Sequence, residues 1–133
     1  GQNIDMMEIN KLVVGDDRFS VYVNLPQDQV VRHYQNADLV IVPSLCMENA
    51  PISISHAYSV GTAVLAARVG GVPELVTENE SGWLFEAGDE ADLKKKLSGL
   101  TPDLIEKLSA KIKANYHSTT TAEYCHKLIS LVK

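Results

Sequence analysis

The sequence predicts an α/β fold, a doubly wound parallel sheet of the Rossmann-like kind. Two short apolar runs, 38–42 and 63–67, suit strands that are buried on both faces of such a sheet, and the first is rich in β-branched residues. Each run is followed by a loop and the start of a helix, the alternation expected of an α/β protein. With 133 residues, 45% of them hydrophobic and 22% charged, the chain is expected to form one globular domain over residues 1–133.

Before the first of these runs, the sequence predicts a helix, a strand and a second helix. The first helix is expected over residues 3–12. Residues 19–23 alternate in the manner of a strand, and a turn at 24–26 ends it. The second helix is expected over residues 27–36, and it places three apolar side chains at a core-facing spacing: Val30, Val31 and Tyr34.

The central part of the chain carries two strand–loop–helix units in succession. Pro43 and Ser44 end the first apolar run, and Pro51 fits the first turn of a helix, where its missing N–H costs nothing. That helix ends at Gly61, a common C-terminal signal. After the second run, two glycines and a proline lead into a short helical turn that is expected at residues 74–77.

The last part of the chain predicts one more strand and three helices. The strand covers residues 83–85, and the next helix opens with Asp89 as its N-cap and Asp92 three residues later, an approximate capping box. In that helix Leu93 and Leu97 are expected to face the core, and residues 94–96, all lysine, to face solvent. A helix from Thr101 and Pro102 carries Leu104, Ile105, Leu108 and Ile112, and a final helix is expected after a cap at 118–121.

Two loops in this arrangement are expected to lie at one edge of the sheet and to form a binding site. Ligands of open α/β sheets bind outside the carboxyl ends of the strands, where helix N-termini attract anions. Glu48 lies in the first loop as an acceptor for hydroxyl groups, and Gly70 and Gly71 allow close approach of the backbone to a ligand. The combination indicates a ligand with an anionic part and a hydroxylated part, as a sugar nucleotide has.

An ordered set of short motifs between residues 15 and 98 carries a family resemblance. The motifs are Pro43-Ser44, Glu48-Asn49-Ala50-Pro51, Gly61-Thr62-Ala63-Val64, Gly70-Gly71-Val72-Pro73-Glu74 and Gly82-Trp83-Leu84-Phe85. In order and spacing they resemble the C-terminal, donor-binding domain of retaining GT-B glycosyltransferases of the family-four type, also called glycosyl transferases group 1. The resemblance implies a donor-binding domain that is truncated, without its first strands and without the acceptor domain.

The resemblance implies roles for particular residues. Glu48, Asn49, Gly70 and Gly71 would bind the donor sugar, and the backbone of Pro51, Ile52 and Ser53 would face the diphosphate. The family has a second Glu eight residues after the first, and this chain has His56 there. His56 would lie near the ribose, where a neutral imidazole can make one hydrogen bond but no bidentate carboxylate contact. Either the donor affinity or nucleotide preference differs from that of the family, or the site is decaying.

The resemblance also implies the reaction of the longer parent protein. The parent would transfer a sugar, with retention, from a nucleotide diphosphate sugar to a saccharide or lipid-linked acceptor, as in polysaccharide biosynthesis. No residue of this chain is assigned as catalytic, and the isolated piece is expected to bind donor weakly and not to catalyse. No cofactor or metal is expected, because no Asp-x-Asp pair is present to hold a cation. Helix dipoles and basic side chains would stabilise the leaving diphosphate.

The composition argues against several other classes of protein. The net charge of −5 and the lack of a basic stripe argue against a nucleic-acid partner. No run approaches the roughly 18 apolar residues of a membrane span, and no signal-peptide pattern opens the chain. Cys46 and Cys125 show neither disulfide nor zinc spacing, and a reducing, cytoplasmic location is expected.

The start of the chain carries further expectations. Its first residue is Gly rather than Met, as in a piece excised from a longer protein, and it starts just before the third strand of the family's 3-2-1-4-5-6 order. The strand at 19–23 is therefore expected to pair either with the strand at 38–42 or with another chain, since an open strand edge promotes association. A homodimer of the piece and peripheral membrane association of the parent are further expectations.

Alternative interpretations stay open from the sequence alone. The chain could be a non-catalytic, glycosyltransferase-like scaffold module, degenerate at His56, or, less well supported, a receiver-like module, although it lacks the acidic residues that a receiver needs. His56 fits a packed or surface histidine equally well, and Glu74 fits a favourable helix-start charge as well as a ligand contact. Arg68 is interpreted as a solvated side chain, and Cys46 has no His-Asp partners for nucleophilic catalysis.

Overall fold

The computed structural model describes residues 6–117, 119 and 121–131, and the chain divides into two compact units, Gly1–Val30 and Val31–Lys133. Each unit is described by itself. The elements in chain order are α1 (Met6–Val13), α2 (Gln27–Gln35), β1 (Leu39–Val42), α3 (Ile52–Ser59), β2 (Ala63–Arg68), α4 (Val72–Leu75), β3 (Gly82–Glu86), α5 (Glu90–Gly99), α6 (Pro102–Asn115) and α7 (Thr121–Leu131). The predicted order of helices and strands is confirmed except at residues 19–23, and the predicted cap at 118–121 lies largely outside the described residues.

In the first unit, residues 19–23 form no strand among the described residues, so the predicted strand is wrong. Phe19, Tyr22 and Val23 are more than half exposed, and Asn24 turns the chain with a φ of 54°. A strand needs a neighbour to satisfy its backbone N–H and C=O groups. The expected pairing of this segment, with residues 38–42 or with another chain, stays a prediction.

The second unit is built on a three-stranded parallel sheet in the order β1-β2-β3. Leu39 lies opposite Ala63, and Val64 lies opposite Gly82 on the other side of β2. All residues from 63 to 67 are buried, as predicted for a strand covered on both faces. The parallel sheet with its connecting helices confirms the predicted α/β class.

Strand β1 departs from the prediction that both of its faces are covered. Val40 and Val42 are buried, but Ile41, between them, is 42% exposed. Side chains alternate between the two faces of a strand, so the face of β1 that carries Val40 and Val42 is covered and the face that carries Ile41 is open.

Helices α3 and α6 pack against β2 and against each other and cover the core. Ile54, Ala57 and Tyr58 of α3 are buried, as are Leu108 and Ile112 of α6. The hydroxyl oxygen of Ser109 accepts a hydrogen bond from the N–H of Ala63 at 3.1 Å and so joins α6 to the first residue of β2. The phenol of Tyr58 donates to the hydroxyl of Ser81 at 3.0 Å, just before β3.

Helix α4 begins two residues earlier than the predicted turn at 74–77. Gly71 is its N-cap and Pro73 lies in its first turn, where a proline is favourable. Val72 and Val76 are both almost completely buried, so burial of these two valines fixes the position of the turn. The sequence predicted Glu74 as the start of the turn, since an acidic side chain is favourable at the N-terminus of a helix.

The capping of α5 is confirmed in part. Asp89 Oδ1 accepts from the N–H of Asp92 at 3.0 Å, but Asp92 Oδ2 accepts from Glu86 rather than from Asp89. The prediction that Leu97 faces the core is wrong, and Leu104 of α6 is also exposed. Lys96 does not belong to a solvated face, because its ammonium contacts Glu78 Oε1 at 2.7 Å.

Candidate functional site

The candidate site lies at the carboxyl edge of the sheet, where β1 ends at Val42 and β2 ends at Arg68. Because the strands are parallel, the loop from β1 to α3 and the loop from β2 to α4 both leave from this edge. The first loop carries Glu48 and Asn49, and the second carries Gly70 and Gly71. The four residues that the sequence predicts for sugar binding are therefore in the two loops that meet here.

A proline brackets the first loop on each side. Pro43 follows the last residue of β1, and Pro51, which is buried, precedes the first residue of α3. Proline fixes its own φ and restricts the residue before it, so both ends of the loop are stiff. Between them, the Ser44 hydroxyl donates to Glu48 Oε2 at 3.2 Å, and both residues are half-buried. The carboxylate of Glu48 thus has a defined direction.

The loop from β2 to α4, which carries Gly70 and Gly71 and is called the glycine loop below, packs directly on the backbone of the loop from β1 to α3, the Glu48 loop. The N–H of Gly71 donates to the carbonyl oxygen of Glu48 at 2.9 Å. A Cβ on Gly70 would collide with the Glu48 carbonyl, and a Cβ on Gly71 would collide with the Asn49 carbonyl. Gly70 also has a φ of 54°, in the left-handed region. The contact between the two loops alone explains why both positions are glycine. The predicted contact of Gly70 and Gly71 with a ligand stays a prediction.

The N-terminus of α3 follows the Glu48 loop and opens at the same edge. Pro51 is the N-cap, and no side chain caps the helix. The first N–H groups of a helix have no partner within it, so Ile52 and Ser53 present donors and the positive end of the helix dipole here. The Ile52 side chain is 70% exposed, and Ser53 is half-buried. The predicted contact of these residues with a diphosphate stays a prediction.

His56 lies about one turn into α3 and is half-buried. Its ring centroid is 6.3 Å from that of Tyr34 in α2, with the rings tilted at 47°. The spacing of three and four residues from Ser53 and Ile52 puts His56 on the same side of the helix as the exposed first turn. The position is compatible with the predicted ribose contact, and packing against Tyr34 gives His56 a structural role as well.

An ion pair joins the ends of two neighbouring strands at this edge. Arg68 Nε donates to Glu86 Oε1 at 3.1 Å, joining the last residues of β2 and β3. Both side chains are largely exposed, so the interpretation of Arg68 as simply solvated misses a partner. The two residues are register partners, and sequence reasoning that had aligned β2 with β3 would have found the pair.

Neither a metal centre nor a membrane span occurs in the part of the chain that the structure describes. No group of three or more His, Cys, Asp or Glu side chains there could hold a metal ion. None of the described helices is long and apolar enough to cross a bilayer. Cys46, two residues before Glu48, and Cys125 are both exposed, free thiols.

Comparison with known proteins gives a consistent family. The model of the family described as glycosyl transferases group 1 matches residues 12–118. The amylovoran biosynthesis glycosyltransferase AmsK of Erwinia amylovora is 38% identical over 69 residues, which cover 48% of this chain and 17% of AmsK. The D-inositol 3-phosphate glycosyltransferase of Mycolicibacterium smegmatis is 32% identical over 110 residues, which cover 80% of this chain and 25% of that enzyme.

A solved structure shares the fold. The sucrose-phosphate synthase of Thermosynechococcus elongatus superposes with a TM-score of 0.70 at 23% identity, over 95% of this chain and 34% of that one. This likeness shows that the two chains share the arrangement of strands and helices. The chain spans a quarter or less of the length of the two curated relatives that it matches here.

Proposed function

The chain belongs to the glycosyl transferases group 1 family, and we propose that it forms the donor-binding part of a glycosyltransferase that uses a nucleotide diphosphate sugar. One observation carries the proposal. The loop that bears Glu48 is locked by Ser44 and Gly71 beside the open N-terminus of α3, at the carboxyl edge of a parallel sheet. An acceptor for hydroxyl groups and a donor surface for an anion therefore lie next to each other.

The proposed roles follow from the chemistry of each group. Glu48 accepts hydrogen bonds from hydroxyls of the donor sugar, with Asn49 and the glycine loop beside it. The N–H groups of Ile52 and Ser53 and the dipole of α3 bind the diphosphate and stabilise the negative charge that develops on it as it leaves. His56, one turn further on, exchanges a single hydrogen bond with the ribose.

The proposed reaction of the whole protein is transfer of the sugar, with retention, to a saccharide or lipid-linked acceptor. A saccharide acceptor agrees with the relative that acts in amylovoran biosynthesis. No group in the described part of this chain is proposed as catalytic, because Glu48 and α3 bind and orient the donor and stabilise charge on it. No metal or further cofactor is proposed. The reaction is proposed to take place in the cytoplasm, with nucleotide sugars as donor substrates.

Titration of the isotopically labelled chain by NMR tests this proposal. The probes are UDP, GDP, UDP-glucose and GDP-mannose at up to millimolar concentration. We expect chemical-shift changes confined to residues 48–56 and 69–74, larger for one nucleotide than for the other. Glu48→Gln should weaken binding of the sugar conjugate and leave that of the free nucleotide unchanged, because only the conjugate has a sugar for Glu48. Glu106→Gln, on the exposed surface of α6, is the matched control.

A His56→Glu variant separates a working donor site from a module that has lost it. Restoring the carboxylate should strengthen binding of both the nucleotide and its conjugate by about 10-fold, the effect of one good charge-assisted hydrogen bond. The absence of any response to the four probes, in the wild-type chain and in His56→Glu, would exclude binding of these uridine and guanosine donors at millimolar concentration by this chain and favour a scaffold role.

A further inference from the structure

The Glu48 carboxylate is oriented before any ligand arrives. Ser44 donates its hydroxyl hydrogen to Glu48 Oε2 at 3.2 Å. Both residues are half-buried. This hydrogen bond engages Oε2 and leaves Oε1 as an acceptor, since an ionised carboxylate accepts on both oxygens.

Ser44 is attached to a rigid part of the molecule. It follows Pro43, which in turn follows Val42, the last residue of β1, and Val42 is paired in register with Ala66 in the buried strand β2. A proline between the strand and Ser44 removes one backbone rotation. The backbone of Ser44 is therefore fixed by the sheet, and its hydroxyl in turn restricts the position of the Glu48 side chain in the loop.

A second anchor holds the backbone of the same residue. The Glu48 carbonyl accepts from the N–H of Gly71, and the absence of a Cβ at Gly70 lets the two loops touch. Backbone and side chain of Glu48 are thus fixed by different residues from different loops. Loss of one anchor leaves the other in place, so the contribution of Ser44 can be measured separately.

We propose that Ser44 is a positioning residue for recognition of the donor sugar: it holds Glu48 Oε2 so that Oε1 faces the sugar and accepts one hydroxyl. The inference rests on the proposed function. A glutamate side chain that moves freely must be ordered when it binds, and a side chain that is already ordered avoids this entropic cost. Ser44 therefore contributes affinity for the sugar without touching it.

The experiment compares binding of a free nucleotide and of its sugar conjugate to the full chain, using UDP with UDP-glucose and GDP with GDP-mannose. The dissociation constant of the free nucleotide divided by that of its sugar conjugate measures how much the sugar adds to the affinity. Ser44→Ala should reduce this ratio by about 3- to 10-fold, the typical effect of one hydrogen bond, and leave the constant for the free nucleotide unchanged. Ser44→Thr, which keeps the hydroxyl, should restore the ratio. Ser98→Ala, whose hydroxyl bonds only within an exposed helix, is the matched control.

Two outcomes overturn the inference while the proposed function survives. One is a Ser44→Ala variant that keeps the wild-type ratio although Glu48→Gln loses it. The other is a Ser44→Ala variant that weakens nucleotide and conjugate equally and shifts the resonances of the glycine loop, which would make Ser44 a general support of the fold. A wild-type ratio of one, with Glu48→Gln the same, would instead overturn the role of Glu48 and with it that of Ser44.

A measurement without ligand tests the positioning alone. Three-bond couplings of the Glu48 side chain should report a single rotamer in the wild type and in Ser44→Thr, and rotamer averaging in Ser44→Ala. Averaged couplings already in the wild type would show that Ser44 does not hold the carboxylate, whatever the ligand does.

Discussion

Strand β2 and the segment at residues 19–23 have a similar apolar content and different surroundings. Residues 63–67 are buried between two neighbouring strands and beneath α3 and α6, and their backbone groups bond on both sides. Phe19, Tyr22 and Val23 are more than half exposed, and their segment forms no strand in the part of the chain that the structure describes. The comparison teaches that pairing with a neighbouring strand, rather than apolar and β-branched composition, makes a strand.

The difference has an energetic meaning. A buried strand contributes through the apolar area it removes from water and through close packing, both of which a substitution disturbs. An extended segment that stays in solvent contributes little of either. The stability of the chain should therefore be concentrated in β2 and its contacts, and substitutions in the first unit should have small effects.

The largest effect is expected from Leu65→Ala in the centre of β2. Leu65 is 0% exposed, and removing its side chain leaves a cavity, which typically costs about 2–5 kcal/mol. Leu12→Ala is the matched control, since it removes the same atoms from a side chain in the first unit that is 83% exposed. It should change the free energy of unfolding by less than about 0.5 kcal/mol.

Urea unfolding checks this pair, followed by fluorescence of Trp83, the only tryptophan, and by circular dichroism. Trp83 is buried in β3 and pairs with Leu65, so its fluorescence reports on the sheet directly. Equal losses from the two variants would show that the first unit supports the fold as much as β2 does, and the comparison would be wrong.

A smaller effect is expected from Gly82→Ala, which tests the contact between β2 and β3. A Cβ at Gly82 would collide with the carbonyl of Val64 and lie 2.8 Å from Val76 Cγ1. Overpacking of this kind costs about 1–3 kcal/mol. Gly82 does not have a positive φ, so strain of the backbone adds nothing and the effect measures packing alone.

The matched control is Gly99→Ala, at the end of α5, where a Cβ would meet no atom within 4 Å. That variant should be neutral or stabilising by up to about 1 kcal/mol, because alanine restricts the unfolded chain more than glycine does. Hydrogen exchange of the amides in β2 and β3 should accelerate in Gly82→Ala only. Unchanged exchange there would mean that the chain accommodates the added Cβ without loosening the pairing of the two strands.

The same comparison explains how far sequence reasoning reached. The three paired strands are buried enough to show as apolar runs, and the Gly and Pro residues that punctuate them are local signals, so both were predictable. The absence of a partner for residues 19–23 was not, because pairing is a property of the whole sheet. The exposure of Leu97 and Ile41 was missed for the same reason: each depends on what lies opposite.

The candidate site shows the same division. Glu48, Gly70 and Gly71 were predictable as a group, since two loops that follow parallel strands must share an edge. The reason why these positions must be glycine was not predictable, because the contact of their backbone with that of Glu48 and Asn49 appears only in the folded chain. Hydrogen bonds between side chains, such as that of Ser44 with Glu48 and the tether of Lys96 to Glu78, likewise become visible only in three dimensions.

The smallest expected effect depends on pH and concerns Tyr58, the buried tyrosine of α3. Burial raises the pKa of Tyr58 above its ordinary value of 10.0, and the nearby Tyr116 adds to this, although the hydrogen bond with Ser81 acts in the other direction. The folded chain therefore favours the neutral phenol. Well below pH 10 the phenol is neutral in both the folded and the unfolded states, so its contribution to stability is fully present. Above pH 10 the unfolded chain ionises first, and the contribution is lost as the pH rises through the folded-state pKa.

Unfolding by urea at a series of pH values from 8 upward measures this. The free energy of unfolding should fall more steeply above pH 10 in the wild type than in Tyr58→Phe, which has no phenol to ionise on the buried face of α3. An equal slope in the two proteins would show that the folded chain does not favour the neutral phenol of Tyr58, and the burial of α3 against β2 would then have no effect on the pH dependence of stability.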